Sequence, residues 1–147
     1  MTTTHPKTFL LEIVTPFRKV FSEEVNAVIA PGEEGYFGVL PRHTPFLTSL
    51  RIGAMKVEMS AAGKEEAPRI LYFAISGGFA EVLPDSVRIF AETAEEASEI
   101  DVQRAQAAKD RALKRIREGR KQWDLERAQA ALARAINRTE VASKLMR

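Results

Sequence analysis

The last third of the sequence carries charged residues at spacings that place them together on helix faces. Asp101 and Arg104 are three residues apart, and Arg111 lies seven residues after Arg104. Arg134 and Arg138 are separated by four residues. Residues three, four or seven apart share one face of a helix, and arginine binds phosphate and carboxylate groups through a planar fork of donors. These arginines are therefore candidates to meet an anionic ligand or an acidic partner.

Two other interpretations explain the same residues. They can form ion pairs three or four residues apart on solvated helix faces, each worth only about 0.3 kcal/mol. They can also form a basic nucleic-acid-binding hairpin, because residues 93–147 carry thirteen Lys and Arg against nine Asp and Glu. Against nucleic acid, only one aromatic residue, Trp123, interrupts the charges, and the nine acids are scattered among them.

Other chemistry finds little support in the sequence. There is no cysteine, and the two histidines, His5 and His43, are far apart, so neither a thiolate nor a histidine metal site is expected. The loop GEEGYFG at 32–38 lacks the spacing of a phosphate-binding loop. No nucleophile has an evident base, so we expect no catalytic activity. The sequence also predicts neither a signal peptide nor a membrane-spanning segment.

Residues 1–92 have the pattern of an all-β domain. All seven prolines and seven of the eight glycines precede residue 85, and they separate short runs of apolar or alternating character. Gly77-Gly78 lies between two such runs and predicts a two-residue hairpin turn. About ten short strands at this spacing predict a β-sandwich or flattened barrel.

Residues 93–147 predict an antiparallel hairpin of two α-helices. Ser98 and Asp101 match a capping box at the start of the first helix, and Gly119 is suited to its end. Asp124 is a candidate cap for the second helix. Each helix has one narrow stripe of mostly small residues, Ala105, Ala108, Ala112 and Ile116 in the first, and Leu125, Ala128, Leu132, Ala135, Thr139, Ala142 and Met146 in the second.

Alanine stripes bring two helix backbones close together but bury little apolar surface. Helices rich in alanine and arginine also have high intrinsic propensity, so each can persist without the other. We therefore expect a hairpin that can separate from its packing partner without melting.

Five motifs in order give the chain a resemblance that covers nearly its whole length. Its features resemble those of the epsilon subunits of bacterial-type rotary ATP synthases. The motifs are LEIVTPFRKVFSEEV, GEEGYFGVLPRHTPFLTSLRIG, ISGGFAEVLPDSVRIFAETAE, IDVQRA and RAINR.

The resemblance implies a non-catalytic subunit of the central stalk on the cytoplasmic face of a bacterial cell membrane. Its β-sandwich would bind the gamma subunit and the c-ring. Its helical hairpin would permit rotation when folded on the sandwich, and would block ATP hydrolysis when extended into the alpha/beta catalytic head. The alternative is a free-standing adaptor or nucleic-acid-binding module, which would not co-purify with gamma and the catalytic head.

The resemblance also implies residues for two sites. No cofactor is required, but in some members a motif like IDVQRA and later arginines bind ATP as a regulatory ligand on the closed hairpin. Here the matching positions are Glu95, Asp101, Arg104, Arg111, Arg134 and Arg138.

The second implied site is the contact with the c-ring. Many relatives have an acidic residue within a GELG-like run, where this chain has Gly35-Tyr36-Phe37-Gly38. If that acid contacts the ring in the relatives, the contact here would depend on Glu34, Arg42 or His43.

Overall fold

A computed structural model describes residues 7–60, 68–119 and 122–146. His5 therefore lies outside the described residues. In chain order the structure has eight strands, a 3-10 turn at Ala97–Glu99, two helices and a final 3-10 turn at Lys144–Met146. The strands are β1 (Phe9–Val14), β2 (Lys19–Val25), β3 (Ala27–Gly32), β4 (Gly35–Val39), β5 (Phe46–Ser49), β6 (Gly53–Met59), β7 (Arg69–Val82) and β8 (Ser86–Glu96), and the helices are α1 (Val102–Glu118) and α2 (Gln122–Ser143).

The strands form the predicted β-sandwich. They follow the order β2-β1-β8-β7-β6-β3-β4, and β5 pairs separately with β7. The pairing of β1 with β8 is parallel, and the other strand pairs are antiparallel. Alternate side chains of β1 point into the core of the sandwich. Phe9, Leu11 and Ile13 are buried, while the residues between them are partly exposed.

The two longest strands connect the layers of the sandwich. The first half of β7, Arg69–Ile75, pairs with β6, and its second half, Phe79–Val82, pairs with β5. Strand β8 pairs with β7 on the other side from Phe73 to Val82, in one constant register. Strand β8 runs to Glu96, four residues past residue 92, where the sequence analysis ended the β-sandwich domain.

The prediction of a hairpin turn at Gly77-Gly78 is wrong. Both glycines lie inside β7, with positive φ angles of 65° and 103°. A side chain on Gly78 would place its Cβ 1.9 Å from the carbonyl oxygen of Phe90. The glycines therefore let one continuous strand cross closely over its neighbour, and two predicted strands become one. The described residues contain eight strands rather than about ten, partly for this reason.

The two helices form the predicted hairpin, and their small-residue stripes face inward. Ala105 and Ala112 of α1 are buried, as are Ala128, Ala135 and Ala142 of α2. Helix α1 ends at Gly119, as predicted, although its φ of 1° is not left-handed. Asp124 lies in the first turn of α2, which begins at Gln122, and so does not precede the helix as a cap would. No helix of the described residues is long and apolar enough to span a bilayer.

Helix α2 lies on the outer face of β6 and β7, and α1 packs mainly on α2. The contact between α2 and the sandwich is a second, small apolar cluster, separate from the sandwich core. We call this cluster the docking seat, and its buried members are Ala74, Ala97, Ile100, Val141 and Ala142.

Replacing Gly78 by alanine should destabilise the sandwich by about 3 kcal/mol, because the new methyl group meets the Phe90 carbonyl and the backbone keeps an unfavourable φ. Urea unfolding followed by circular dichroism measures the change. The matched control is Gly38→Ala on β4, where the nearest atom to the new Cβ is 3.9 Å away and we expect a change within about 1 kcal/mol. Equal effects of the two substitutions would contradict this account of β7.

Candidate functional site

Asp101 and Arg104 are first of all a helix cap. The Oδ1 atom of Asp101 accepts a hydrogen bond of 3.1 Å from the backbone N–H of Arg104, and α1 begins at the next residue, Val102. Ser98 is therefore not the cap that the sequence predicted, because residues 97–99 form a separate 3-10 turn. The spacing of the acid and the arginine thus has a local structural cause. The side chains of both residues remain exposed to solvent.

Glu95 and Arg138 form an ion pair between the sandwich and α2. The Nη2 of Arg138 donates a hydrogen bond of 3.1 Å to Oε2 of Glu95, and its Nε lies 2.7 Å from Oε1 without the alignment of a hydrogen bond. The side chain of Arg138 is only 26% exposed and that of Glu95 only 34%. An ion pair with this two-point geometry and partial burial orients α2 on β8 more firmly than a surface pair would.

Asn137, one residue earlier, makes a second polar connection at the docking seat. Its side-chain amide donates hydrogen bonds to the backbone oxygen of Gly53, at 2.9 Å, and to that of Ile75, at 3.4 Å. Gly53 and Ile75 are direct partners across β6 and β7. The amide therefore fixes the position of α2 along the sheet, and it does so with two backbone acceptors that would otherwise need water.

These polar groups surround a cleft of about 280 Å³ between the helices and the sheet, which we call the sheet-side cleft. Three of the predicted nucleotide-binding residues line it, Glu95, Arg134 and Arg138. Ala108 is the one lining residue from α1 among those described. Arg104 and Arg111 lie four residues before and three residues after Ala108, on the same helix face. The structure thus brings Glu95, Arg134 and Arg138 together, and places Asp101, Arg104 and Arg111 outside the cleft wall.

Sequence reasoning did not identify three polar residues of this cleft, Ser76, Thr93 and Asn137. The hydroxyl groups of Ser76 and Thr93 are hydrogen-bonded to each other across β7 and β8. The sequence offers a signal only for Asn137, which lies beside the small-residue stripe of α2. Ser76 and Thr93 could not be identified, because they are distant in sequence and meet only through strand pairing. Among the described residues, no group of three or more His, Cys, Asp or Glu side chains could hold a metal ion.

The residues predicted for the c-ring contact do not form one cluster. Glu34 is exposed before β4, whereas Arg42 and His43 follow the opposite end of that strand. The backbone N–H of Arg42 donates to the Pro84 oxygen at 2.8 Å, so this loop adjoins the turn between β7 and β8. The His43 ring packs edge-on against Phe46, with centroids 5.3 Å apart, and its Nδ1 is 2.8 Å from the Thr44 oxygen.

Three exposed leucines accompany Arg42 and His43 at this end of the sandwich. Leu40 precedes the Arg42 loop and is 62% exposed, Leu47 on β5 is 68% exposed, and Leu83 beside Pro84 is 39% exposed. We call this the leucine end. Several exposed large apolar side chains around a cation are typical of a protein contact surface.

Comparison with known proteins agrees with both halves of the structure. Residues 8–97 match the family described as "ATP synthase, Delta/Epsilon chain, beta-sandwich domain", and residues 98–143 match "ATP synthase, Delta/Epsilon chain, long alpha-helix domain". The chain belongs to the ATP synthase delta/epsilon chain family. The boundary between the two family domains falls after the end of β8, in the 3-10 turn that precedes α1.

Members of the delta/epsilon family with high identity to this chain include two bacterial proteins named "ATP synthase epsilon chain". That of Desulforapulum autotrophicum is 56% identical over 108 residues, which are 74% of this chain and 76% of the relative. That of Syntrophobacter fumaroxidans is 53% identical over 108 residues, 74% of this chain and 75% of the relative.

Two solved structures have the same fold at low sequence identity. A chain in the Euglena gracilis mitochondrial ATP synthase, in a structure of OSCP, F1 and c-ring, aligns with a TM-score of 0.75 and 23% identity over 99% of this chain and 85% of that one. A chain in the Tetrahymena thermophila mitochondrial ATP synthase, in a structure of the central stalk and c-ring, aligns with a TM-score of 0.60 and 13% identity. The alignment covers 95% of this chain and 99% of that one.

Replacing Asn137 by alanine should loosen α2 from the sheet, because the amide of Asn137 bonds to both β6 and β7. One lost hydrogen bond of about 1 kcal/mol raises the undocked population roughly fivefold. Amide hydrogen exchange measures this as faster exchange in α2 near Val141, because an undocked helix that has lost its packing opens more often, with no change in β1. Gln129→Ala, at an exposed position of α2, is the control and should change neither. Unchanged exchange in Asn137→Ala would show that the amide does not hold the helix.

Proposed function

We propose that this chain is the epsilon subunit of a proton-translocating rotary ATP synthase, a non-catalytic subunit of the central stalk. It would bind the gamma subunit and the c-ring through its sandwich, on the cytoplasmic face of a bacterial cell membrane. The support is the family membership over both domains, the name of the bacterial relatives, and the fold shared with chains in ATP synthase structures that include the c-ring.

The leucine end is the candidate for the c-ring contact. Leu40, Leu47 and Leu83 offer exposed apolar surface beside Arg42 and His43. Glu34 lies at the other end of β4, so a single contact that uses Arg42 and His43 would not include it. We therefore propose the c-ring contact at Arg42 and His43 without Glu34.

The hairpin would regulate ATP hydrolysis by leaving the sandwich. The observation that carries this proposal is the composition of the docking seat, whose buried members are three alanines, one valine and one isoleucine. Apolar burial contributes roughly 25 cal/mol per Å², so a seat of small side chains stabilises the docked position far less than a core of large ones would. The helices have their own propensity and can persist after undocking. Such an element has two accessible positions, docked and extended.

Removal of residues 97–147 should raise ATP hydrolysis by the assembled enzyme and leave ATP synthesis largely unchanged, because the β-sandwich and the leucine end remain complete. Hydrolysis and synthesis by enzyme reconstituted with the full or the shortened chain measure both effects. The control is a full chain with Arg117→Ala, which changes an exposed hairpin charge and should keep the inhibition. Equal hydrolysis with the full and the shortened chain, at low and high ATP, would refute an inhibitory hairpin.

ATP would act as a regulatory ligand of the docked hairpin. Arg134 faces the sheet-side cleft, and Arg104 and Arg111 of α1 flank its wall at Ala108. Glu95 already engages Arg138, so a phosphate group that contacts Arg138 must share or displace this carboxylate. A ligand that binds only the docked state at a hundredfold excess over its Kd stabilises that state by about 2.7 kcal/mol. That free energy is large enough to change the population of a weakly seated hairpin.

Arg134→Ala should weaken Mg-ATP binding about fivefold or more, because it removes a charge-assisted donor from the cleft. Isothermal titration of the isolated chain measures the Kd, and Arg104→Ala should weaken binding in the same direction. Arg117→Ala, outside both groups of arginines, is the control. If wild-type chain gives no heat with millimolar Mg-ATP, the regulatory ligand is not ATP, while the inhibitory role tested above is unaffected.

A further inference from the structure

One residue of the leucine end has an unfavourable backbone conformation. Arg42 has a φ angle of 63°, in the left-handed region that disfavours residues with a Cβ atom. The other described residues with a clearly positive φ are all glycines, Gly35, Gly77 and Gly78. A glycine at position 42 would adopt this conformation without the steric conflict. The chain therefore has an arginine at a position whose backbone favours glycine.

Contacts on both sides of Arg42 fix this conformation. Its backbone N–H donates to the Pro84 oxygen at 2.8 Å, which connects the loop to the turn between β7 and β8. The ring of the next residue, His43, packs edge-on against Phe46, and Phe46 packs edge-on against Phe37 of β4 with centroids 5.2 Å apart. A residue stays in a sparsely populated conformation only where its surroundings over-determine it, and such residues cluster at functional sites.

The surroundings of the Arg42 side chain suit a contact with another protein. Arg42 is exposed, and it lies beside the exposed leucines of this end, Leu40, Leu47 and Leu83. A partner that covers the leucines removes water from around the guanidinium group, which strengthens its attraction to an opposite charge. The planar guanidinium binds a carboxylate through two parallel hydrogen bonds, and arginine is enriched among the residues that dominate binding at interfaces.

We propose that Arg42 is a specificity-determining residue of the leucine end, and that it binds a carboxylate on the surface of the c-ring. This inference rests on the proposed c-ring contact. It adds the charge of the group that the ring presents and the reason for an arginine at this position. The left-handed backbone destabilises the free sandwich, and the contact with the carboxylate offsets this cost only in the assembled enzyme.

A purely structural role of Arg42 gives the opposite prediction for stability. Arg42 has a further interaction within the chain. If that interaction keeps the arginine at this position, loss of the side chain lowers the urea midpoint of the full chain. If the partner keeps it there, Arg42→Gly should raise the midpoint by roughly 0.5 M, whereas Arg42→Ala, which keeps the strain, should not. Urea unfolding followed by circular dichroism measures both variants, and a lower midpoint in Arg42→Gly overturns the inference.

Binding of the full chain, in complex with gamma, to immobilised c-rings measures the contact itself. Arg42→Gly and Arg42→Ala should each weaken binding about tenfold, because a charge-assisted hydrogen-bonded contact is lost. The matched control is Arg69→Ala, an exposed arginine at the other end of β7, which should bind like wild type. Asp85→Asn, beside Pro84, should bind as tightly as wild type or more tightly, because it removes a negative charge near the ring carboxylate.

Amidation of the exposed carboxylates of the c-ring, with a water-soluble carbodiimide and ethanolamine, identifies the group that Arg42 meets. It should lower the affinity of wild-type chain to that of Arg42→Gly, and leave the affinity of Arg42→Gly unchanged. The inference is overturned if amidated rings keep their full affinity for wild-type chain, if Arg42→Gly binds as tightly as wild type, or if Asp85→Asn binds more weakly.

Leu47→Ser separates this inference from the proposed c-ring contact. Leu47 offers apolar surface at the same end and carries no charge. If Leu47→Ser weakens binding and Arg42→Gly does not, the leucine end meets the ring through its apolar surface, and only the role of Arg42 is refuted. If neither substitution weakens binding, the c-ring contact at the leucine end is refuted, and the inference with it.

Discussion

The contact between α2 and the sheet of β6 and β7 determines whether the sheet-side cleft exists. It consists of five buried apolar side chains, none larger than isoleucine, with Ala54 and Tyr72 packed against them. The Asn137 amide on two backbone oxygens and the ion pair of Arg138 with Glu95 complete it. The sheet-side cleft exists only while this contact holds, because its walls come from both sides of it. A ligand in that cleft and the docked position of α2 must therefore stabilise each other, since linkage is reciprocal.

The sandwich, in contrast to the docking seat, is stabilised by a large apolar core. Its core contains large buried side chains such as Phe73, Leu11 and Met55, and β7 and β8 extend through both layers as continuous strands. Gly77 and Gly78 allow this crossing through their positive φ angles, and at Gly78 a side chain would collide with the Phe90 backbone. The result is a rigid body with a large core beside a hairpin with a small seat. In the proposed function, this contrast would let the sandwich stay bound to its partners while the hairpin moves.

The sequence predicted what local periodicity controls. The alternation in β1, the change to a helical period after β8, the buried alanines of both helices and the helix end at Gly119 all agree with the structure. The predicted hairpin turn failed because it needed information from distant residues, whereas the predicted caps Ser98 and Asp124 failed locally, because the helices begin at Val102 and Gln122. Gly77-Gly78 resembles a turn until the backbone of Phe90 is known to lie against it.

The sequence also predicted the candidate site only in part. Glu95, Arg134 and Arg138, three of the six residues predicted for the nucleotide site, line one cleft. Asn137 meets Gly53 across 84 residues of chain, and its place beside a small-residue stripe was the one signal for it in the sequence. Asp101 and Arg104 have the spacing of a ligand motif, but their observed contact is a helix cap, which has the same spacing for a local reason. The spacing of Asp101 and Arg104 alone could not distinguish a ligand motif from a helix cap.

We propose that the docked hairpin does not inhibit ATP hydrolysis and that inhibition requires α2 to leave the sheet. The ammonium group of Lys144, directly after α2, lies 5.1 Å from the ring centroid of Tyr72 on β7. The chain has no cysteine, so cysteines placed at these two positions can be joined selectively by a short bis-maleimide linker. ATP hydrolysis by enzyme assembled with the linked chain should match that of enzyme whose chain lacks the hairpin, while the unlinked double variant should still inhibit. Equally strong inhibition by the linked and the unlinked chain would contradict the account.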